Sequence, residues 1–266
     1  MNRSIGSLAK RLAPENVHHF RTNSRRIEAV IDTLAPQSRN KKKVLKLVGK
    51  LRKRAGKLRD IDVQIAFLKN LKVPDRQGQR AHLLEVLDGE HARRVKKLTR
   101  AVDPSTLREL RRRLRREQTE MKLDGVDPLR LAAQSLPKLD HAPLTEQSLH
   151  AYRIAAKHAR YLAELAGETP AAKTFVDELT RVQDAAGEWH DAMKLKEKAE
   201  KRFGGASESA LVSMLQNISR ARFRSAGNSL TAAITALSRD QHANPATHVQ
   251  NKKAATDDVA ASRAVA

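Results

Sequence analysis

The sequence predicts an all-α protein, and three observations support this fold class. Gly and Pro together account for 20 of the 266 residues, and aromatic residues for only 3%. The bulk is Ala, Leu, Lys, Arg and Glu, which favour helices over strands. Apolar residues recur at helical spacing over long stretches that end near Pro or Gly. With 40% hydrophobic residues, the chain can bury a core of domain size.

Two predicted helices form the start of the chain. One begins at Pro14 and ends before Pro36, and the other covers about residues 38–70. Between Arg39 and Arg59 the second helix has eleven Lys or Arg and no acid. Like charges one turn apart repel each other, so this stretch carries a local cost. Either a solvated basic face or an anionic partner explains it.

Two further helices complete the first half, at about residues 76–100 and 104–122. Asp103 is the expected N-cap of the later helix, with Pro104 in its first turn. That helix contains RRRLRR at residues 111–116, which indicates either a solvated face or a surface that steers anions. Residues 123–144 are rich in Pro, Gly and Asp, which predicts a connector with one short helix between the halves.

The second half is predicted to contain three long helices, at about residues 144–166, 171–203 and 208–238. We therefore predict one domain over residues 1–238, built from halves at about 10–125 and 144–238. Residues 239–266 are polar and rich in alanine and have no apolar periodicity. This composition predicts a disordered tail.

A basic motif near residue 17 returns near residue 150. VHHFRTNSRR at residues 17–26 and LHAYRIAAKH at residues 149–158 share a histidine and two basic residues at i, i+3 and i+7. Helical geometry puts each trio on one side of its helix. The matching residues, 132 positions apart, are His18, Arg21 and Arg25 in the first copy and His150, Arg153 and Lys157 in the second. Solvation explains one such stripe, but two copies predict the two walls of one site.

The repeat extends to two later helices of each half. The matches at an offset of 131 are Lys50, Gly56 and Asp60 with Arg181, Gly187 and Asp191. LLEVL at residues 83–87 matches LVSML at residues 211–215, and Arg94 matches Arg222, at an offset of 128. Three helices thus recur in the same order, which predicts a duplicated helical unit.

The charge of the chain predicts a polyanionic partner. The formal net charge is +22, of which residues 1–125 carry +19 and the remainder +3. Such an excess destabilises a compact state by self-repulsion unless an anion compensates it. The second half keeps basic residues at the positions where the repeat expects them. This placement favours a shared anion site over charge that serves solubility alone.

The compartment predicted for the protein is the cytoplasm. The chain has no cysteine, so disulfides, thiolate metal sites and cysteine nucleophiles are excluded. The N-terminal segment has no apolar core of a secretory signal, and no run of apolar residues is long enough to span a bilayer. We expect no membrane association.

The repeated motifs resemble those of the CHAD family, the conserved histidine α-helical domains. That family's signature is an HxxRxxxRR-type helix followed by a helix with a Gly-x-x-Arg-Asp-like element, and both occur in each half. The first half of this chain has HHFRTNSRR and AGKLRDIDV, and the second has LHAYRIAAKHARY and QDAAGEWHDA. The resemblance covers about residues 10–238. It implies two four-helix bundles, related by pseudo-twofold symmetry, around a basic central pore.

The resemblance also implies a function, the binding of inorganic polyphosphate at polyphosphate granules. We expect this binding to be non-catalytic, with no cofactor and no metal. Asp60 and Asp191 are expected to orient neighbouring cations or to tether neighbouring helices, and not to bind the ligand. The polyphosphate-binding residues predicted from the motifs, the repeat and the basic stripe of the second helix are His18, Arg21, Arg25, Arg26, Lys50, Arg54, Lys57, Arg94, His150, Arg153, Lys157, Arg160, Arg181 and Arg222.

Three other functions are alternatives to polyphosphate binding. Nucleic-acid binding is the main alternative because the charge permits it, although single strands favour aromatic platforms and the chain has one Trp, two Tyr and five Phe. A metal site is disfavoured because the histidines have no metal-ligand spacing and lie among cations. An enzyme is disfavoured because the sequence contains no P-loop and no ExExK strand of triphosphate hydrolases.

Overall fold

The computed structural model describes residues 1–35, 37–72, 75, 77–121, 125–137 and 143–243, with residues 240–243 described as helix backbone only. Within these residues the chain forms helices and no strand. The helices are α1 (Asn2–Lys10), α2 (Pro14–Leu34), α3 (Lys41–Asn70), α4 (Gln79–Thr99), α5 (Pro104–Glu120), α6 (Pro128–Gln134), α7 (Glu146–Ala163), α8 (Pro170–Phe203) and α9 (Ala210–Ala243). A 3₁₀ turn at Glu164–Ala166 follows α7.

The all-α prediction is confirmed, and the long helices lie close to their predicted ranges. The sequence interpretation missed α1, whose Ile5 and Leu8 are buried against the first-half core. Helix α9 runs to Ala243, five residues past the predicted end. The rest of the predicted tail, residues 244–266, lies outside the described residues, so its disorder stays a prediction.

Polar side chains and prolines fix where several helices begin. The Asp103 carboxylate accepts a hydrogen bond from the Thr106 backbone N–H at 2.9 Å, as its predicted N-cap role requires. Thr145 and Ser148 form a reciprocal capping box at the start of α7. Proline occupies the first turn of α2, α5, α6 and α8, where its missing N–H costs no helical hydrogen bond.

Each half of the chain has its own hydrophobic core. In the first half, apolar side chains of α1, α2, α3 and α5 surround the fully buried Phe20. In the second half, side chains of α6, α7, α8 and α9 surround Trp189. Burial of such apolar surface contributes about 25 cal/mol per Å² removed from water and is the main driving force for each core.

The two halves pack against each other and share a third core. Helix α2 packs against α7, and α3 packs against α8. The shared core combines Ile61 and Leu68 of α3 with Leu195 of α8 and Leu215 of α9. Because α2 and α7 carry the two repeated basic motifs, the contact between the halves brings those motifs together.

The predicted duplication and its pseudo-twofold symmetry stay predictions. Contacts follow the same order in α2–α3–α4 and in α7–α8–α9. Helices α1 and α5 pack against other helices of the first half, and α6 packs on α7. The described first half therefore has five helices and the second has four. None of the described helices is long and apolar enough to cross a membrane.

Candidate functional site

Helix α3 presents its cations on two separate faces. On one face Arg52 binds Glu28 of α2, with 2.8 Å between Nε and Oε1, and Gly56 lies beside Arg21 of α2. On the other face Lys50 and Lys57 line a cavity toward α4. At 100° per residue these faces lie roughly 120° apart around the helix. The predicted site residues therefore divide into two groups.

The first group lies between the halves, and we call it the inter-half cluster. It consists of Arg21 and Arg25 of α2 with Arg153 and Lys157 of α7. The four cations are close enough that the charges of Arg21, Arg25 and Arg153 all act on Lys157. The two basic trios predicted as walls of one site thus contribute neighbouring cations across the α2–α7 contact.

Two guanidinium groups of the inter-half cluster have unsatisfied donors. The Nε atoms of Arg25 and Arg153 are buried and have no hydrogen-bond partner among the described residues. Burial is also the main cause that lowers the pKa of both groups, and arginine nevertheless stays charged. A buried donor without a partner costs roughly 1–3 kcal/mol, so an anion that accepts these hydrogen bonds binds with that advantage.

Lys157 is the most perturbed group of the inter-half cluster. Burial first, and then the charges of Arg153, Arg25 and Arg21, lower its pKa to about 6. Asp191 opposes this shift but does not cancel it. At neutral pH the free protein therefore holds Lys157 largely without its proton. An anion placed beside it reverses the electrostatic cost and draws the proton back.

Two carboxylates border the cluster, in different surroundings. Asp60 of α3 lies 3.7 Å from an Arg21 guanidinium nitrogen and its side chain is 60% exposed. Asp191 of α8 is desolvated, and burial raises its pKa while Arg153 lowers it. Both positions fit the predicted role of orienting cations. The cations still outnumber the carboxylates, so the cluster keeps a positive excess.

The repeated histidines flank the cluster as neutral groups. Burial is the first cause that lowers the pKa of both His18 and His150, and cationic neighbours lower it further. The largest of these charges are Arg59 for His18 and Arg153 for His150. At neutral pH both rings are therefore uncharged and can donate one hydrogen bond each to an anion.

Arg26 and Arg160, both predicted ligands, are engaged with one carboxylate. Arg26 Nε lies 2.8 Å from Oε2 of Glu164, and an Arg160 terminal nitrogen lies 2.8 Å from Oε1 of the same residue. Both guanidinium groups also lie over the ring of Tyr161, at 5.7 and 4.8 Å from its centroid. This arrangement links α2 to the end of α7, and it explains these two arginines as structural contacts.

Four other predicted ligands lie in the second group, which we call the outer groove. This groove runs between α3, α4 and the start of α5 and has a volume of about 770 Å³. Its α3 side carries Lys50, Arg54 and Lys57, and its α4 side carries Arg94. The sequence interpretation joined these residues to the inter-half cluster, whereas in the structure they line the groove between α3 and α4.

Arg181 and Arg222 have described contacts outside both groups. Arg181 binds Glu178 one turn earlier in α8 at 2.7 Å and is 67% exposed. Arg222 donates to the backbone carbonyl of Glu188 at 3.1 Å and lies 4.6 Å above the ring of Phe67. The Arg222 contact ties α9 to α8 and α3.

Sequence reasoning missed His190, a neighbour of the inter-half cluster. Its ring lies 5.0 Å from that of His150, and burial, followed by the charge of Arg153, lowers its pKa to about 3. Its Nδ1 atom is buried and has no partner among the described residues. The repeat could have identified this residue, because His190 matches Arg59 at the same offset of 131 that relates Gly56 to Gly187.

Comparison with known proteins identifies the family. The family model described as the CHAD domain matches residues 6–200, well over half of the chain. No curated protein and no solved structure gives a significant match. In the part of the chain that the structure describes, no group of three or more His, Cys, Asp or Glu side chains can hold a metal ion. The matched range contains both basic motifs and the inter-half cluster, and the chain belongs to the CHAD domain family.

Proposed function

We propose that this protein binds inorganic polyphosphate without hydrolysing it, and that the inter-half cluster is the main binding site. One observation carries the proposal. Arg21, Arg25, Arg153 and Lys157 converge from both halves, and two of them keep buried donors that no described residue satisfies. A protein gains no stability from such a cluster alone, because desolvated like charges repel each other. A bound polyanion supplies the missing acceptors and charge.

The chemistry of the cluster fits a phosphate chain. Each phosphate offers several acceptor oxygens and negative charge but no apolar or aromatic surface. Arginine binds phosphate oxygens with two parallel hydrogen bonds, and lysine adds a point charge. Because the contacts are mainly ionic, affinity should fall steeply as salt increases, as it does for proteins that bind DNA.

The surroundings of the aromatic residues favour a phosphate chain over a nucleic acid. Single-stranded nucleic acids bind through stacking on exposed aromatic rings. Here Trp189, Tyr152, Tyr161, Phe20 and Phe175 are buried. The three remaining phenylalanines are partly buried and pack against the cores. We expect single-stranded DNA or RNA of equal charge to compete poorly with polyphosphate.

A charge-matched pair of variants tests the proposal. The site variant replaces Arg21, Arg25, Arg153 and Lys157 with Ala. The control replaces four exposed lysines outside both groups, which are Lys10, Lys69, Lys173 and Lys201. Both lose four basic side chains, so the two variants differ in where these side chains were removed. Titration with long-chain polyphosphate at two salt concentrations measures affinity, and circular dichroism measures helix content.

We expect the site variant to lose binding by more than about a hundredfold, since each charge-assisted hydrogen bond contributes roughly 1.5–3 kcal/mol. The control should stay within about threefold of the wild type, because exposed charges interact weakly. Equal losses in the two variants would mean that net charge alone attracts the polyanion. Release of phosphate from polyphosphate with magnesium would contradict the non-catalytic part of the proposal.

We further propose that the phosphate chain binds in a central pore and that the protein associates with polyphosphate granules. A central pore formed by the two halves, as in the family resemblance, would surround the phosphate chain and slow its escape. Binding of long chains would also concentrate the protein at cytoplasmic polyphosphate granules. Co-localisation of the tagged protein with stained granules, and its loss in the site variant, is the measurement for this part.

A further inference from the structure

The outer groove combines two facing rows of cations. Lys50, Lys53, Arg54 and Lys57 extend along α3. On the opposite side lie Arg94 and Lys97 of α4 and Arg100 directly after it. Leu47, Leu51 and Ala101 contribute apolar lining. The groove is therefore a concave surface of about 770 Å³ with positive charge on both sides.

These cations have almost no partners within the protein. None of the seven forms an ion pair with another residue in the described ranges, and Arg54 alone has a described hydrogen bond, to the Lys97 carbonyl at 3.3 Å. A solvated basic helix face is the simple explanation for one row. Two rows that face each other across a cavity repel each other over the groove itself, a cost that outward-facing rows avoid.

The one carboxylate that lines the groove is already engaged. Asp103 caps α5 by accepting the Thr106 backbone N–H at 2.9 Å, and it also accepts the hydroxyls of Ser105 and Thr106 at 2.5 Å. These hydrogen bonds lower the pKa of Asp103, with the Ser105 hydroxyl as the largest cause. Asp103 is therefore ionised, and its single negative charge opposes the seven cations of the groove.

The groove is separate from the inter-half cluster. Arg52, Gly56 and Asp60 mark the α3 face that meets α2 and the cluster. Lys50, Arg54 and Lys57 lie roughly a third of a turn away around the same helix, and Lys53 lies between the two faces. A short anion that occupies one site does not reach the other face, and a long chain must pass around α3 to occupy both.

We propose that the outer groove is a second phosphate-chain site, independent of the inter-half cluster and confined to the first half. This inference rests on the proposed function, since it assigns the same class of ligand to a second place. It has a consequence for chain length. A short oligophosphate fills the two sites separately, whereas a long chain that occupies both gains affinity through the high effective concentration of its second segment.

Tripolyphosphate is the probe that separates the two sites. The groove variant carries Lys53→Gln, Arg54→Gln, Lys97→Gln and Arg100→Gln, and the cluster variant carries Arg25→Gln and Arg153→Gln. The lysine control described above, with Gln in place of Ala, matches the charge change of the groove variant. Isothermal titration gives the number of tripolyphosphate molecules bound, and a parallel titration with long-chain polyphosphate gives the affinity.

We expect two tripolyphosphate sites in the wild type and in the control, one in each single-site variant, and none when both sets of substitutions are combined. Long-chain affinity should fall by at least about tenfold in the groove variant, because the second segment is lost. An unchanged number of sites in the groove variant overturns the inference and leaves the proposed function standing. An unchanged number in the cluster variant instead contradicts the proposed function.

A measurement without groove substitutions guards against altered folding. Lys53, Lys57 and Lys97 are exposed and can be acetylated, and the exposed Lys69 outside the groove serves as the reference. Tripolyphosphate should slow acetylation of the three groove lysines, but not of Lys69, in both the wild type and the cluster variant. Equal acetylation of the groove lysines with and without tripolyphosphate would overturn the inference.

Discussion

The α2–α3 and α7–α8 sides of the inter-half cluster carry related motifs in different electrostatic surroundings. On the α2–α3 side, Arg21 lies beside Asp60, whose side chain is 60% exposed. On the α7–α8 side, Lys157 has a pKa lowered to about 6, and burial raises the pKa of Asp191. His190, which corresponds to Arg59 in the repeat, has a pKa lowered to about 3.

The same motif therefore supplies two kinds of positive charge in the two halves, one permanent and one ionisable. The first half contributes arginines that are charged at every physiological pH. The second half contributes Arg153 together with a lysine whose charge depends on pH and on the ligand. The free protein thereby limits repulsion among the clustered cations, and an anion bound at the cluster would restore the fourth charge.

The largest expected effect comes from removing one side's basic pair. We expect Arg21→Gln with Arg25→Gln to weaken polyphosphate binding by more than about a hundredfold at about pH 8, since two permanent charges are lost. Arg153→Gln with Lys157→Gln should cost about tenfold at the same pH, because Lys157 is then mostly neutral before binding. At about pH 6 the two losses should converge, as Lys157 gains its proton.

Titrations of the two double variants at both pH values check this difference. Circular dichroism of each variant controls for helix content. A control in which only Lys10 and Lys69 of the lysine control are replaced with Gln corrects for net charge. Losses that are equal at the higher pH would contradict the assignment of permanent and ionisable charge to the two halves.

The next effect concerns the proton on Lys157. Since phosphate raises the lowered pKa of this amine, binding near pH 7 should take up protons, and affinity should increase as pH falls from about 8 toward 6. Isothermal titration in buffers of different ionisation enthalpy measures the uptake. Lys157→Met should reduce the uptake, whereas His150→Gln should leave most of it. Undiminished uptake in Lys157→Met would assign the proton to another group.

The same shift predicts the stability of the free protein. Between about pH 6 and the ordinary lysine value near 10.4, the unfolded chain holds a proton on Lys157 that the folded chain lacks. The free energy of unfolding therefore rises with pH across this window. Lys157→Met should stabilise the free protein at pH 7 by roughly 1–3 kcal/mol, measured by urea unfolding without polyphosphate. A destabilised variant would contradict the unfavourable burial of this lysine's charge.

A smaller effect separates structural arginines from ligand-binding ones. Glu164→Gln removes the charge that Arg26 and Arg160 share, so we expect a loss of roughly 1–3 kcal/mol in the free energy of unfolding. Polyphosphate affinity should not fall by more than about twofold, because neither arginine belongs to the inter-half cluster. If the affinity were tenfold weaker and the unfolding curve normal, Arg26 and Arg160 would have to be counted among the polyphosphate-binding residues.

The fold could be predicted largely from the sequence, because apolar periodicity and helix caps are local signals. Asp103 caps α5 as predicted, and buried residues of α3 such as Val44 and Val48 follow the predicted apolar stripe. Helix α1 was missed because it has only nine residues and a single short apolar stripe. Its Ile5 and Leu8 are buried by contacts with other helices of the first half.

The candidate site was less predictable, because it depends on which face of a helix meets which neighbour. Helices α2 and α7, which carry the two basic motifs, lie in contact. Lys50 and Arg54, however, fall on the groove side of α3. The partner that engages Arg26 is Glu164, 138 residues later in the chain. No local sequence pattern predicts a contact between residues so far apart in the chain.

The smallest expected effect tests the glycines of the two motifs. A Cβ at Gly187 would have no neighbour within 4 Å, and a Cβ at Gly56 would lie 3.7 Å from Arg21 Nε, an ordinary contact. Both lie inside long helices, where Gly→Ala gains roughly 0.5–1 kcal/mol. We therefore expect Gly187→Ala and Gly56→Ala to raise the urea midpoint and to leave polyphosphate affinity within about twofold. Since neither methyl group clashes in the free protein, a tenfold loss of affinity would mean that the phosphate chain lies directly against the helix backbone at that position.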